Sequence, residues 1–166
     1  MDPRLHQLQG KADRLTPVAI ALGSNLGDRR GHVEWAAAQL ARHLDDPRLS
    51  PIIETEPVGV PDPQPPYLNA VVCGRSDLGP RELLDVLLAL EDERQRVRTG
   101  FRGARTLDLD LILHGDTIIH APGLDVPHPR FRERRFVLEP LAAVAAEMRD
   151  PVTGLTVAEL LRRLPD

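Results

Sequence analysis

Several things are scarce in this chain of 166 residues. It has one cysteine, one tryptophan, one tyrosine and three phenylalanines, and only Lys11 of its 21 basic residues is a lysine. A lone Cys73 rules out an internal disulfide and, within LNAVVCG, reads as a small buried hydrophobe in a reducing compartment. Aromatics at 3% leave few rings on which nucleobases could stack. No apolar run approaches the roughly 18 residues of a membrane span. The opening MDPRLHQLQGKADRLTP carries no apolar segment of the secretory type, so a cytoplasmic location is expected.

What is present suits one soluble domain. Hydrophobic residues make up 42% and charged residues 28%, an ordinary globular balance. Residues 1–15 are polar and aperiodic and are expected to be a flexible tail, with 16–166 forming a single domain. The net charge is −4, yet the arginines cluster. Five lie in RQRVRTGFRGAR (94–105) and four in RFRERR (130–135). An acidic chain with two local cationic clusters points to a small anionic ligand, because nucleic acid usually requires a broad basic face.

Periodicity and punctuation predict the elements. Residues 17–22 read as a buried strand ending at Gly23. Asp28 is a plausible N-cap for a helix through about residue 44, with Val33, Ala37, Leu40 and Leu44 on one face. A second strand is expected near 51–55. The segment PVGVPDPQPP (57–66) is too rich in proline for helix or central strand, and a third strand follows at 67–73. Gly79-Pro80 opens a second helix running to about Arg96, with Pro at its first position. Residues 106–113 form a fourth strand. A short helix near 141–147 and a last helix opening on Thr156 and Glu159, the spacing of a capping box, complete the chain. The order is that of an α+β, ferredoxin-like β-α-β-β-α-β sandwich with a C-terminal helical extension.

The fourth strand carries the clearest chemistry. In TLDLDLIL, alternation places Leu107, Leu109, Leu111 and Leu113 on one face and Asp108 and Asp110 on the other, with the two Asp Cα atoms roughly 7 Å apart. Two carboxylates that close repel unless a cation joins them, and Mg²⁺ characteristically takes one or two carboxylates and completes its shell with water and substrate phosphates. A solvated amphipathic strand is an equal reading of these residues alone. The balance tips because Arg96, Arg98, Arg102 and Arg105 lead directly into the pair, and guanidinium forks complement phosphate oxygens. His128, between two prolines in VPHPR, is held extended. Tyr67 and Asn69 share a strand face and would suit a flat heterocycle with mixed donors and acceptors; a core Tyr and a turn Asn is the competing reading. GSNLGD (23–28) lacks the signature of a P-loop.

These stretches resemble the 6-hydroxymethyl-7,8-dihydropterin pyrophosphokinase family of folate biosynthesis. The resemblance rests on ALGSNLGD (21–28), ETEPVG (54–59), PYLNAVV (66–72), Glu91 with RVR (96–98), RTLDLDLIL (105–113) and VPHPRFRERRFVLEPL (126–141). It implies an ATP-dependent diphosphotransferase that moves the β,γ-diphosphate of ATP to the pterin hydroxymethyl group and releases AMP. Asp108 and Asp110 would bind two Mg²⁺ ions, and Arg96 and Arg105 would clamp phosphates. Glu91, Arg98, Arg102, Leu111, His128 and Arg134 would contact the nucleotide. Thr55, Val58, Tyr67, Asn69 and Phe136 would contact the pterin. The expected partners are ATP and the pterin, with no nucleic acid or membrane, and a monomer is expected. One departure stands out: FRGAR (101–105) replaces the family's frequent Arg-Trp-Gly-Pro-Arg, so the lid tryptophan is absent.

Two other classes fit less well. An RNA-recognition module of the same architecture would carry aromatics on its central strands and a basic surface, and 106–113 contains no aromatic residue. A regulatory domain that binds ATP without turnover is distinguished only by assay.

Overall fold

The structure, a computed structural model, describes residues 15–56, 65–94 and 106–165. Its axis is β1 (Thr16–Ser24), a run of small and β-branched residues in which all but three positions are buried. It pairs antiparallel with β4 (Tyr67–Ser76) on one side and β5 (Asp108–His114) on the other. β2 (Asp45–Leu49) and β3 (Ile53–Thr55) both pair antiparallel with the far side of β4. The sheet order is β2-β4-β1-β5, with β3 also on β4. A separate hairpin, β6 (Ile119–Ala121) and β7 (Leu124–Val126), follows β5. The helices are α1 (Arg29–Ala41), α2 (Pro80–Arg94), α3 (Arg135–Ala145) and α4 (Val157–Arg163).

Helices cover both faces of the sheet. On one face α1 buries Val33, Ala36, Ala37 and Leu40, and α2 buries Leu83, Leu87 and Leu90. They close over Val18, Ile20, Leu22, Leu68, Ala70, Val72, Leu107, Leu109 and Leu111. On the other face α3, α4 and Phe131 pack against Ala19, Val71, Cys73, Ile112 and Leu113. Asp28 caps α1 by accepting from the Gly31 N–H at 3.1 Å, and the expected capping box opens α4, where Thr156 and Glu159 exchange hydrogen bonds. Cys73 is buried as expected, and burial pushes its thiol up to about 12. Among the described residues no helix is long and apolar enough to cross a membrane.

Three elements differ from the sequence expectation. Leu113 does not share the face of Leu107, Leu109 and Leu111. Ala19 pairs with Leu113 while Ile20 pairs with Leu111, so Ile112 is the extra residue of a bulge and Leu113 turns into the second core. β2 carries no strand pattern because every residue of DDPRL is exposed; Pro47 and the charges mark it as a sheet edge. The third helix starts at Arg135, well before residue 141, and accommodates Pro140 within it.

Beside the packing of the second core, a buried ion pair ties the α3–α4 connection to the segment before α3. The guanidinium of Arg132 grips the fully buried carboxylate of Asp150 through Nε and Nη2, and the Val152 N–H and the Thr153 hydroxyl also donate to it. Burial alone would raise the Asp150 pKa, but these donors override it and hold the carboxyl at about 2. Removing one partner of such a pair leaves an uncompensated group, so Asp150→Ala is expected to destabilise the fold by about 3 kcal/mol. Because the folded pKa is depressed, this stabilisation is complete above the unfolded value near pH 4 and is lost as pH falls through about 2. Urea titrations of the two proteins should differ by a constant amount from pH 5 to 7 and converge below pH 4. A gap that persists undiminished to pH 2 would mean that the carboxylate charge does not carry it.

Candidate active site

Strand register assembles the site. Gly23 of β1 pairs with Asn69 on one side and Asp108 on the other, and Ala21 pairs with Val71 and Asp110. Directly paired residues point to the same face, so Asn69, Gly23 and Asp108 form one row and Val71, Ala21 and Asp110 the next. Asp108 is half-buried and Asp110 exposed. This face is continuous with the second core, so the Asp pair lies where that helical cover ends, rather than on a wholly solvated sheet. Gly23 supplies the floor of the row. A Cβ there would stand 3.4 Å from Asn69 Oδ1 and 3.8 Å from Tyr67 Cδ1.

Glu91, near the C-terminal end of α2, accepts the Leu109 N–H at 2.9 Å. β5 is the sheet edge, and this bond ties its main chain to α2 between the two aspartates. One carboxylate oxygen of a residue expected at the nucleotide thus positions the Asp-bearing strand. Leu111, also expected there, is buried in the first core and turns its side chain away from Asp108 and Asp110.

His128 enters from the segment after β7, which follows a cis Val126–Pro127 peptide. Its N–H donates to the Ile112 carbonyl at 3.0 Å, which fixes it beside β5. Its Nδ1 accepts the Arg130 N–H at 3.1 Å. The neutral ring therefore carries its proton on Nε2, and protonation would have to displace the Arg130 bond. Burial lowers the His128 pKa; Asp110 opposes this, Arg134 and Arg130 add to it, and Asp125 also opposes it. Arg134 lies over the Phe136 ring at 5.5 Å, and Phe136 is half-buried against the second core.

At the other end of the row, Asn69 Nδ2 donates to the Thr55 hydroxyl at 2.6 Å. Asn69 is 7% exposed, while Tyr67 and Thr55, paired across β4 and β3, are partly open. The structure thus brings Thr55, Tyr67, Asn69, Asp108 and Asp110 to one face and sets His128 beside β5. Arg96, Arg98, Arg102, Arg105 and Val58 lie outside the described residues. The cationic cluster at 130–135 is divided in its tasks: Arg130 pairs with Glu133, Arg132 with Asp150, and Arg135 donates to the Pro165 carbonyl. A cavity of about 490 Å³, lined by Arg48, Cys73 and Met148 among others, lies at the opposite end of the sheet and includes none of the candidate residues.

Among the described residues no cluster of three or more His, Cys, Asp or Glu could hold a metal ion. Two carboxylates without a third protein ligand still suit Mg²⁺, which keeps waters and relies on substrate phosphates, whereas they do not suit a closed structural metal site.

The family model for 7,8-dihydro-6-hydroxymethylpterin-pyrophosphokinase matches residues 19–146. The chain belongs to this pyrophosphokinase family. The pyrophosphokinase of Pseudomonas aeruginosa is 42% identical over 151 residues, covering 89% of this chain and 91% of that protein. Those of Bacillus subtilis (42% over 137 residues, 81% of each) and Synechocystis (39% over 147 residues, 87% and 74%) are similarly related. Among solved structures, the Plasmodium falciparum HPPK-DHPS A437G complex with pteroate has a TM-score of 0.71 at 12% identity. It shares the fold over 90% of this chain, which spans 41% of that longer one.

Two features of this pyrophosphokinase-family site escape sequence reasoning. The Glu91 bond to Leu109 is long-range, and Gly23 looks like a strand terminator until the register places it between Asn69 and Asp108. The histidine geometry has a direct check. Long-range ¹H–¹⁵N spectra at pH 7.5 should show His128 as the Nε2–H tautomer, titrating below the ordinary value of 6.5. A midpoint above 6.5 would show that Asp110 outweighs burial and the two arginines.

Proposed function

We propose that this chain transfers the β,γ-diphosphate of ATP to the hydroxymethyl group of 6-hydroxymethyl-7,8-dihydropterin, releasing AMP, in folate biosynthesis. Family membership over residues 19–146 supports the reaction. The observation that ties it to this molecule is the row Asn69–Gly23–Asp108, which runs across three neighbouring strands, β4, β1 and β5, and brings a side-chain amide suited to a heterocycle and a carboxylate suited to a metal–phosphate group to the same face. The strand order, with β4 inserted between β1 and the β2/β3 edge, supports a ferredoxin-like reading of the fold.

In this reading the pterin lies over Gly23 with its edge toward Asn69 and Thr55, and its ring faces Phe136. Asn69 donates to Thr55 and keeps its carbonyl oxygen for a ring N–H. Asp108 and Asp110 would hold Mg²⁺, which when bound supplies neutralisation of phosphate charge and acidification of a nearby hydroxyl. His128 presents Nε2–H toward the nucleotide as a neutral donor. Arg134 would add a positive charge at the nucleotide, and Arg96 and Arg105 would hold the transferred group and the leaving AMP. The pterin hydroxyl oxygen forms the new bond to the β-phosphorus, and the bond to the α–β bridging oxygen breaks. The hydroxyl proton is released, and no side chain is assigned as its base. Positioning and electrostatics carry phosphoryl transfer, so no covalent enzyme intermediate enters. A cytoplasmic location and a monomeric state are part of the same proposal; the single buried free thiol at Cys73 supports the location.

The product identifies the reaction. Incubation with Mg-ATP and the reduced pterin should yield AMP, and only when the pterin is present; stoichiometric ADP would leave a kinase but remove the pyrophosphokinase. Asp108→Ala and Asp110→Ala should each lower kcat/KM by at least ~3 kcal/mol in transition-state terms, the scale of losing one preorganised charge-stabilising group. Their cooperative unfolding should persist, because neither side chain belongs to the two cores. Near-normal turnover in either variant would exclude the metal role.

A further inference from the structure

Pro65 and Pro66, which immediately precede the Tyr67–Asn69 strand end, have no N–H to donate, so their carbonyls are the only main-chain handles on that segment. The β1–α1 connection and the first residue of α1 take one each. Arg29 Nη1 donates to the Pro66 carbonyl at 2.7 Å, and the fully buried Asn25 donates through Nδ2 to the Pro65 carbonyl at 3.4 Å. The same Arg29 guanidinium lies 3.7 Å from the Glu54 carboxylate. Glu54 alternates with Ile53 and Thr55 and pairs with the buried Leu68, so it faces the α1 side of the sheet, opposite to Thr55 and Asn69. Arg29 therefore acts from behind the sheet. In the register the ladder of β4 with β1 ends at Ser24–Leu68, and Tyr67, one residue nearer Pro66, pairs with Thr55 of the three-residue β3.

We infer that Arg29 is a positioning residue for the pterin: its bond to the Pro66 carbonyl sets where the end of β4 places Tyr67 and Asn69. It contacts neither substrate and is set apart from the Asp108/Asp110 end of the row. The inference rests on the proposed pterin site at Thr55, Tyr67 and Asn69. A charge-assisted hydrogen bond to a partly covered carbonyl has an effect on the scale of about a tenfold change in an equilibrium constant.

Calorimetry with the full chain, Mg²⁺ and a non-hydrolysable ATP analogue tests it. Arg29→Ala should weaken binding of the reduced pterin about tenfold. It should leave the analogue's affinity within about twofold and kcat at saturating pterin within about threefold, a loss confined to pterin KM. Glu54→Gln, which keeps the Pro66 bond, should change pterin affinity less than about twofold, since the ion pair it removes is solvent-exposed. Arg29→Lys, which can still donate to the carbonyl, should recover part of the loss. If Arg29→Ala does not fold, Arg29→Gln serves in its place with the same expectation. Unchanged pterin affinity, or an equal fall for pterin and nucleotide, would overturn the inference. Asn69→Ala separates the two levels. If it weakens pterin and the Arg29 variants do not, only the role of Arg29 fails; if it too leaves pterin affinity unchanged, the proposed pterin site fails and this inference with it.

Discussion

The antiparallel register of β1 with β4 and β5 is the constraint on which the rest depends. A shift of one residue in either ladder would turn Asn69 or Asp108 into the first core and bring Leu68 or Leu109 to the surface. The register is therefore enforced by burial, not by the polar residues that use it. Ile20 and Leu22 under α1 and α2, and Ala19 with Val71 under α3, anchor both sides of the sheet. The polar row at its end inherits that precision.

β5 shows how one strand serves two cores and a site. Leu107, Leu109 and Leu111 alternate into the first core, and the bulge at Ile112 turns Leu113 into the second. Without the bulge the strand would present Leu113 to the same side as Leu111, and the second core would lose a fully buried side chain, a contribution of about 1.5–3 kcal/mol. The aspartates lie before the bulge, where α3 and α4 no longer cover the sheet. Their edge position is steadied from the opposite side by Glu91, so each end of the polar row has a side chain behind it: Glu91 for the Asp strand, Arg29 for the end of β4.

Charge is distributed by the same economy. The cluster at 130–135 looks uniform in sequence, yet Arg132 is committed to Asp150 and the C-terminal extension, Arg130 to Glu133, and Arg135 to the Pro165 carbonyl. Arg134 alone of the four sits over Phe136. A cationic motif that favours phosphate thus also contains the ion pair that ties the α3–α4 connection to the segment before α3. At the end of α2, Arg94 similarly stacks over Trp35 at 4.1 Å, which accounts for the single tryptophan as packing.

Local chemistry made much of this readable in advance. Alternation in TLDLDL determined that Asp108 and Asp110 share a face, Pro80 and Asp28 marked helix starts, and Thr156 with Glu159 specified a capping box, because each depends on neighbours a few residues apart. The family motifs were equally legible. Tertiary structure alone decided the rest. β2 has no apolar alternation and is held as a strand by its ladder to β4, and the bulge at Ile112 is set by pairing with β1, 92 residues earlier at Ile20. The assignment of Arg132 to Asp150, of Glu91 to Leu109 and of Arg29 to Pro66 joins side chains to partners 18 to 37 residues away. Sequence spacing carries no signal for such bonds; they exist because packing two helical layers on one twisted sheet brings those groups together and leaves each buried donor or acceptor in need of a partner.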